Sequence, residues 1–274
     1  MNWLTEPLSY EFFRHGMAVA VLAGALCGLV GTFVVLRGMS YLGHGLSHTV
    51  FGAAALGSVL GVPFYAAAGV GGLVASVTIG RLTRRGVLRA DAVIGVVTTA
   101  AFALGVAVLA RWGQARRSLD AVLFGSVLGV EAADVAVVAL ILATAVLVVG
   151  FGYRALLFTT FDPEVARAAG SPVDRLDDLV MVLLALTVMG ALEVTGAVLV
   201  SACLVIPAAT ARLVTDRFGP MLITSTAWGA AAGGAGMMAA YHLDIPPGAA
   251  ITLIATLGFV LAATAGPVRA HRRS

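Results

Sequence analysis

Polar and apolar positions along this chain neither alternate at strand spacing nor form the one-sided stripe of a soluble helix. They come in long apolar blocks separated by short charged clusters. A run of roughly 18 to 25 apolar residues is what a helix needs to cross a bilayer. At that length the blocks are Met17–Leu36, Gly43–Val62, Phe64–Gly80, Ala92–Ala110, Val135–Tyr153, Leu179–Leu192, Val194–Ala211, Pro220–Tyr241 and Ile245–Val268. Pro63 separates the second from the third, and the single charge Glu193 separates the sixth from the seventh. Two of the nine blocks are short. The expected fold is therefore an all-α integral membrane protein, a polytopic bundle of 8–9 transmembrane helices, with residues 1–274 as one transmembrane domain. Continuous blocks without alternation exclude a barrel.

Composition agrees with this reading. The chain is 60% hydrophobic and 11% charged, where a soluble domain is about one quarter charged. Its 33 glycines suit helices packed closely in lipid. Gly24/Gly28, Gly125/Gly129 and Gly229/Gly233 are each four apart and are expected on close-packed helix faces. All 17 basic residues are Arg. Without a Lys no phosphate-binding P-loop exists, so this chain does not hydrolyse ATP. G-x-S-x-G and H-E-x-x-H are absent as well. A net charge of +3 is no nucleic-acid footprint. Cys27 and Cys203 fall in apolar runs, which argues against a structural disulfide. The first block follows no basic region or cleavage pattern and is read as a retained span.

The basic clusters set the orientation. Arg81, Arg84, Arg85 and Arg89 fill one linker. Arg154, Arg167 and Arg175 fill another, Arg212 and Arg217 a third, and Arg269, Arg272 and Arg273 the tail. With nine alternating spans these and Arg37 share one side, which the positive-inside rule makes cytoplasmic. The N-terminus then lies outside, and so do Arg111, Arg116 and Arg117, against the rule. Between Arg111 and Asp134, LFGSVLG at 123–129 is too short and glycine-rich to span and reads as an interfacial or re-entrant turn. The cytoplasmic linker from Arg154 to Asp178 contains FDPEVARAAG. There Asp162 is an N-cap, Pro163 takes the first helical position, Glu164 favours the positive helix end, and Gly170 is a stop. A short helix from Pro163 to Ala169 follows. A mere connection needs no such helix; a docking surface does.

Few polar groups lie inside the apolar blocks. From Gly38 to Gly80 there is no Asp, Glu, Lys or Arg, yet His44 and His48 sit there four residues apart. Residues at that spacing share a helix face. Two imidazoles on one face can bind zinc, iron, copper or nickel, whereas manganese asks for more oxygen. The plainer alternative is two histidines hydrogen-bonded to neighbouring helices. Glu193 either adds a carboxylate to a metal pathway or lies at the outer surface between spans. His242 and Asp244, in YHLDIPPG, form either a solvated outer turn or a cation-capture site.

Five blocks in order resemble the permease subunits of bacterial zinc/manganese/iron ABC importers. They are FVVLRGMSYLGHGLSH at 33–48, LFGSVLG at 123–129, FDPEVARAAG at 161–170, GAVLVSACLVIPAATAR at 196–212 and YHLDIPPGAAITL at 241–253. The resemblance implies a transporter subunit, not an enzyme, in the bacterial cytoplasmic membrane. It implies a second copy of the chain, cytoplasmic ATP-binding subunits and an extracytoplasmic metal-binding protein. No permanent cofactor is implied: a divalent metal, zinc or manganese, is cargo, and ATP sits on the partner. The coupling segment would be Phe161, Asp162, Pro163, Glu164, Val165, Ala166, Arg167, Ala168, Ala169 and Gly170. The intramembrane metal site would use His48 and position 44, where members commonly have Asp; here it is His44. Glu193 is the third candidate ligand. Rival readings are an intramembrane metalloenzyme built on His44 and His48, a gradient-driven metal carrier, and an ABC permease for a metal chelate or another small ligand.

Overall fold

A computed structural model describes residues 6–84, 89–112, 125–126 and 129–270, with side chains to residue 265. No strand occurs among the described residues. After a short 3-10 turn, Pro7–Ser9, come α1 (Glu11–Leu36), α2 (Ser40–Leu60), α3 (Phe64–Arg84), α4 (Ala90–Trp112), α5 (Ala132–Phe161), α6 (Pro163–Ala168), α7 (Val173–Val214), α8 (Phe218–Leu243) and α9 (Pro247–Ala270). Six of the described helices, α1, α3, α4, α5, α7 and α9, are long and apolar enough to cross a membrane by themselves. The less apolar α2 and α8 pack among them. Apolar side chains such as Val70, Phe151 and Leu261 remain exposed on the outside of this bundle, the surface a bilayer covers.

α7 runs through both the sixth and the seventh predicted blocks, but it does not run straight. Gly196 inside it has φ 75° and ψ 160°, which no helix accommodates. A side chain at Gly43 would meet both Leu184 and Leu204 within 4.0 Å. On one straight helix those two residues would be about 30 Å apart. The two arms of α7 therefore double back on each other and supply two crossings, giving nine crossings from eight long helices among the described residues. The break lies at Gly196, not at Glu193. Glu193 remains helical because a single carboxylate does not interrupt backbone hydrogen bonding, whereas a left-handed glycine does.

The ends sort by side. Arg37 meets Asp177 at 2.6 Å, Arg84 meets Asp178 at 2.6 Å, and Phe218 packs on Phe33, Tyr153 and Phe161. These mark the arginine-rich, cytoplasmic side. At the other side Tyr10, Phe13 and Tyr241 cluster, as aromatic residues do at a membrane interface. Arg111, expected on the outer side against the rule, lies 5.5 Å from the Trp112 ring centroid in a cation–π contact. Arg85, Arg116, Arg117, Arg272 and Arg273 lie outside the described residues, as do Leu123, Phe124, Val127 and Leu128 of LFGSVLG.

Two of the three glycine pairs do what their spacing predicts, and they do it to each other. A Cβ on Gly24 or Gly28 would strike the α8 backbone at Gly229 or Ser225, and one on Gly229 or Gly233 would strike α1 at Gly24 or Ala20. α1 and α8 thus meet backbone to backbone, and Ser225 Oγ donates to the Gly28 carbonyl at 2.7 Å. Gly125/Gly129 is not such a pair: both have positive φ, 81° and 99°. Gly125 is instead an irregular turn seated on the Val194 carbonyl. Gly229→Val should destabilise the bundle by about 1–3 kcal/mol, because overpacking a rigid backbone contact cannot be relieved by a rotamer change. Thermal unfolding in detergent would read this as a lowered midpoint, with Gly234→Val, which meets only the flexible Val21 and Met17 side chains, much less affected.

α5 outruns its predicted block. It starts with a capping box, in which the Glu131 N–H donates to Asp134 Oδ2 at 2.7 Å. It then passes through Arg154 to Phe161. At 30 residues it is about 45 Å long, more than the roughly 30 Å of bilayer hydrocarbon. A solvated arginine does not stop a helix; Asp162 and Pro163 do. α5 thereby carries α6 out into the cytoplasm.

Candidate functional site

α2 brings His44 and His48 together on one face. Its polar residues are satisfied locally: Ser47 Oγ donates to the His44 carbonyl at 2.7 Å, and Thr49 Oγ1 to the Gly45 carbonyl at 3.3 Å. Gly45 lies against Ile94 and Thr98, and Gly52 against the α4 backbone at Ala101, so α2 and α4 are close-packed. This fixes the azimuth of the histidine face. Both imidazoles are half-buried.

Their Nε2 atoms are 3.2 Å apart, with the rings at 86°. Two nitrogens bound to one tetrahedral metal at about 2.0–2.1 Å lie about 3.3 Å from each other. The two rings share a hydrogen bond here, and its length is close to the spacing that one shared ion would require. His44 Nδ1 is 3.3 Å from Ser201 Oγ on the second arm of α7. When Nδ1–H donates to that hydroxyl, the Nε2 lone pair of His44 faces His48, the second-shell arrangement that orients a ligating imidazole. Phe102 of α4 packs edge-on against His48 at 4.9 Å. His48 Nδ1 is buried and has no hydrogen-bond partner among the described residues, which leaves a polar atom to be satisfied by water or an ion.

Glu193 does not join this pair. It is 9% exposed, at the outer end of the first α7 arm, and accepts from Tyr65 Oη at 2.7 Å. Its carbonyl accepts from the Ser126 N–H at 3.0 Å. Among the described residues no three His, Cys, Asp or Glu side chains are placed to hold one ion. Asp244 is exposed and serves as the left-handed cap of α8, with φ 52°. Cys27 and Cys203 are free thiols.

α6 is the cytoplasmic feature. Asp162 Oδ1 accepts from the Val165 N–H at 3.0 Å, and Pro163 opens the helix. It ends one residue before the predicted Ala169. Gly170 then takes φ 83°, and the Ser171 N–H donates to the Ala166 carbonyl at 3.0 Å, a Schellman stop. Ala166 is buried, while Phe161 is 61% and Val165 51% exposed. Glu164, Arg167, Ala168 and Ala169 are exposed too, so α6 offers an apolar and charged face to the cytoplasm. Sequence reasoning missed Ser201, Tyr65, Arg37 and Asp177, whose partners are all distant in the chain.

The description of the ABC 3 transport family matches residues 9–266. Over 257 residues, 94% of this chain and 88% of the relative, the chain is 36% identical to the manganese transport system membrane protein MntC of Halalkalibacterium halodurans. It is 32% identical over 268 residues to a probable iron transport system membrane protein of Haemophilus influenzae, covering 98% of each. Among solved structures, a chain of PsaBC from Streptococcus pneumoniae in complex with Fab aligns with a TM-score of 0.85 at 32% identity, covering 95% of this chain and 94% of that one.

Proposed function

The chain belongs to the ABC 3 transport family, and on that basis we propose that it imports a divalent transition metal past His44 and His48. It is a multi-pass permease subunit of the bacterial cytoplasmic membrane, and residues 1–274 act as one transmembrane unit. The observation that carries the reading is the 3.2 Å Nε2–Nε2 contact on α2, with Ser201 behind one ring. Two protein nitrogens make a weak site. Cargo must leave again, so weak binding suits a pathway better than a closed four-ligand centre. Transport family membership favours a permease over a metalloenzyme.

Energy comes from separate ATP-binding chains seated on α6, where exposed Val165, with Phe161 at the adjoining end of α5, suits a cleft in such a partner. Two copies of the permease enclose the pathway, and an extracytoplasmic binding protein delivers metal to the outer face. The relatives' names bring manganese to this chain. His44 modifies that: an imidazole in place of a carboxylate removes charge and an oxygen donor, which favours zinc over manganese. Glu193, buried near the outer end, is a waypoint for the incoming cation and not a member of the imidazole site.

The test is uptake of Mn²⁺, Zn²⁺ and Fe²⁺ into vesicles carrying the permease with its ATPase and loaded binding protein. ATP-dependent uptake of at least one free ion is expected, and His44→Asp should shift the Mn²⁺/Zn²⁺ uptake ratio toward Mn²⁺. Uptake of none of the three ions would move the cargo to a chelate or another small ligand.

A further inference from the structure

Resting on this importer reading, we infer that Arg37 is the positioning residue that transmits movement of α6 to the histidine pair. Arg37 is the C-cap of α1. Gly38 follows with φ 66°, and α2 begins at Ser40. One turn of α2 separates this elbow from His44. The guanidinium is only 9% exposed and reaches away from its own elbow. Nη1 donates to Asp177 Oδ1 at 2.6 Å, Nε to Thr160 Oγ1 at 3.1 Å, and Nη2 to Thr159 Oγ1 at 3.3 Å.

These three acceptors have one thing in common: they flank α6. Thr159 and Thr160 close α5, just before the Asp162 cap. Asp177 stands in the second turn of α7, just after the Gly170 stop. One planar fork thus holds the chain entering α6 and the chain leaving it. Among the described residues, the polar contacts between the α1–α2 elbow and these two flanks all come from Arg37. A cavity of about 910 Å³ lies beside the fork, lined by Tyr41, Leu42, Ile94 and Pro163 among others. The elbow therefore borders open space, and a directional polar contact ties it to both flanks of α6.

The consequence is mechanical. A displacement of α6 by the ATPases carries both flanks with it. Arg37 passes that displacement to the elbow, and α2, a rigid rod, swings His44 and His48 relative to Ser201, which stands on the second arm of α7 beyond the Gly196 break. A lysine in place of Arg37 keeps the charge but not the fork, so it holds one flank and not both.

The experiment uses the full complex of permease, ATPase and binding protein in vesicles. It measures metal uptake, ATP hydrolysis and equilibrium metal binding for wild type, Arg37→Gln, Arg37→Lys and the double variant Thr159→Val/Thr160→Val. We expect metal binding and complex assembly to persist. Metal moved per ATP should fall roughly tenfold in Arg37→Gln, within the span of substitutions along a coupling network, and less in Arg37→Lys. The double variant spares the Asp177 ion pair and so serves if Arg37→Gln folds poorly; it should also lower the ratio. An unchanged ratio in all variants overturns the inference, and so does a fall in uptake matched by an equal fall in hydrolysis. Wild-type vesicles that move no metal with ATP would instead overturn the importer reading itself.

Discussion

His48→Ala should lower ATP-driven metal uptake by at least ten- to a hundredfold, the range that loss of even a second-shell partner costs a metal site. The pair provides two nitrogens at close to the spacing one shared ion would require, and removing one leaves a single imidazole that water outcompetes. Neither ring is in the last layer of packing: both are half-buried, so alanine removes little core volume and the bundle should fold. The discriminating readouts are direct metal binding to purified permease and the melting midpoint. Lost binding with a retained midpoint marks a ligand. Retained binding and uptake would return both histidines to hydrogen-bonded packing and move the pathway elsewhere. His44→Ala should behave alike, while Ser201→Ala, which only frees one ring, should have a smaller effect on affinity.

Val165→Glu should separate the permease from its ATPase while sparing the metal site. Val165 is 51% exposed on the short helix α6 at the cytoplasmic side, and exposed aliphatic groups there are the natural anchors of a docking contact. A buried interface anchor typically carries about 2 kcal/mol or more, roughly thirty-fold in Kd, and a carboxylate adds a desolvation cost. Co-purification of the ATPase and binding-protein-stimulated ATP hydrolysis should both fall, with metal binding to the permease unchanged. The helix itself survives the change, because its cap at Asp162 and its stop at Gly170 do not involve the Val165 side chain. Normal co-purification of Val165→Glu would place the ATPase contact on another cytoplasmic surface.

Much of the fold was legible because a bilayer imposes strong rules. Apolar runs of spanning length, arginines on alternate linkers and the Asp162–Pro163–Gly170 signals are all local, and each led to the right helix or side. The histidine pair was legible for the same reason: spacing of four on a helix is a local property. The breaks were harder. Arg154 ends the apolar block but not the helix, since α5 continues in water to Phe161. Glu193 looked like a boundary and is helical, since the reversal needs the left-handed Gly196 three residues on.

Sequence by itself determined an all-helical, multi-pass chain with its arginines inside, a histidine pair on one face of α2 and a capped cytoplasmic helix, because each follows from hydropathy, charge or contacts within a few residues. Tertiary structure alone decided that α7 reverses at Gly196, that Ser201 stands behind His44, that Glu193 pairs with Tyr65 and apart from the imidazoles, and that Arg37 grips both flanks of α6. Those contacts join residues more than a hundred positions apart or depend on the dihedral angles of one glycine. No periodicity records them, since what selects them is which helix faces meet once the bundle has packed.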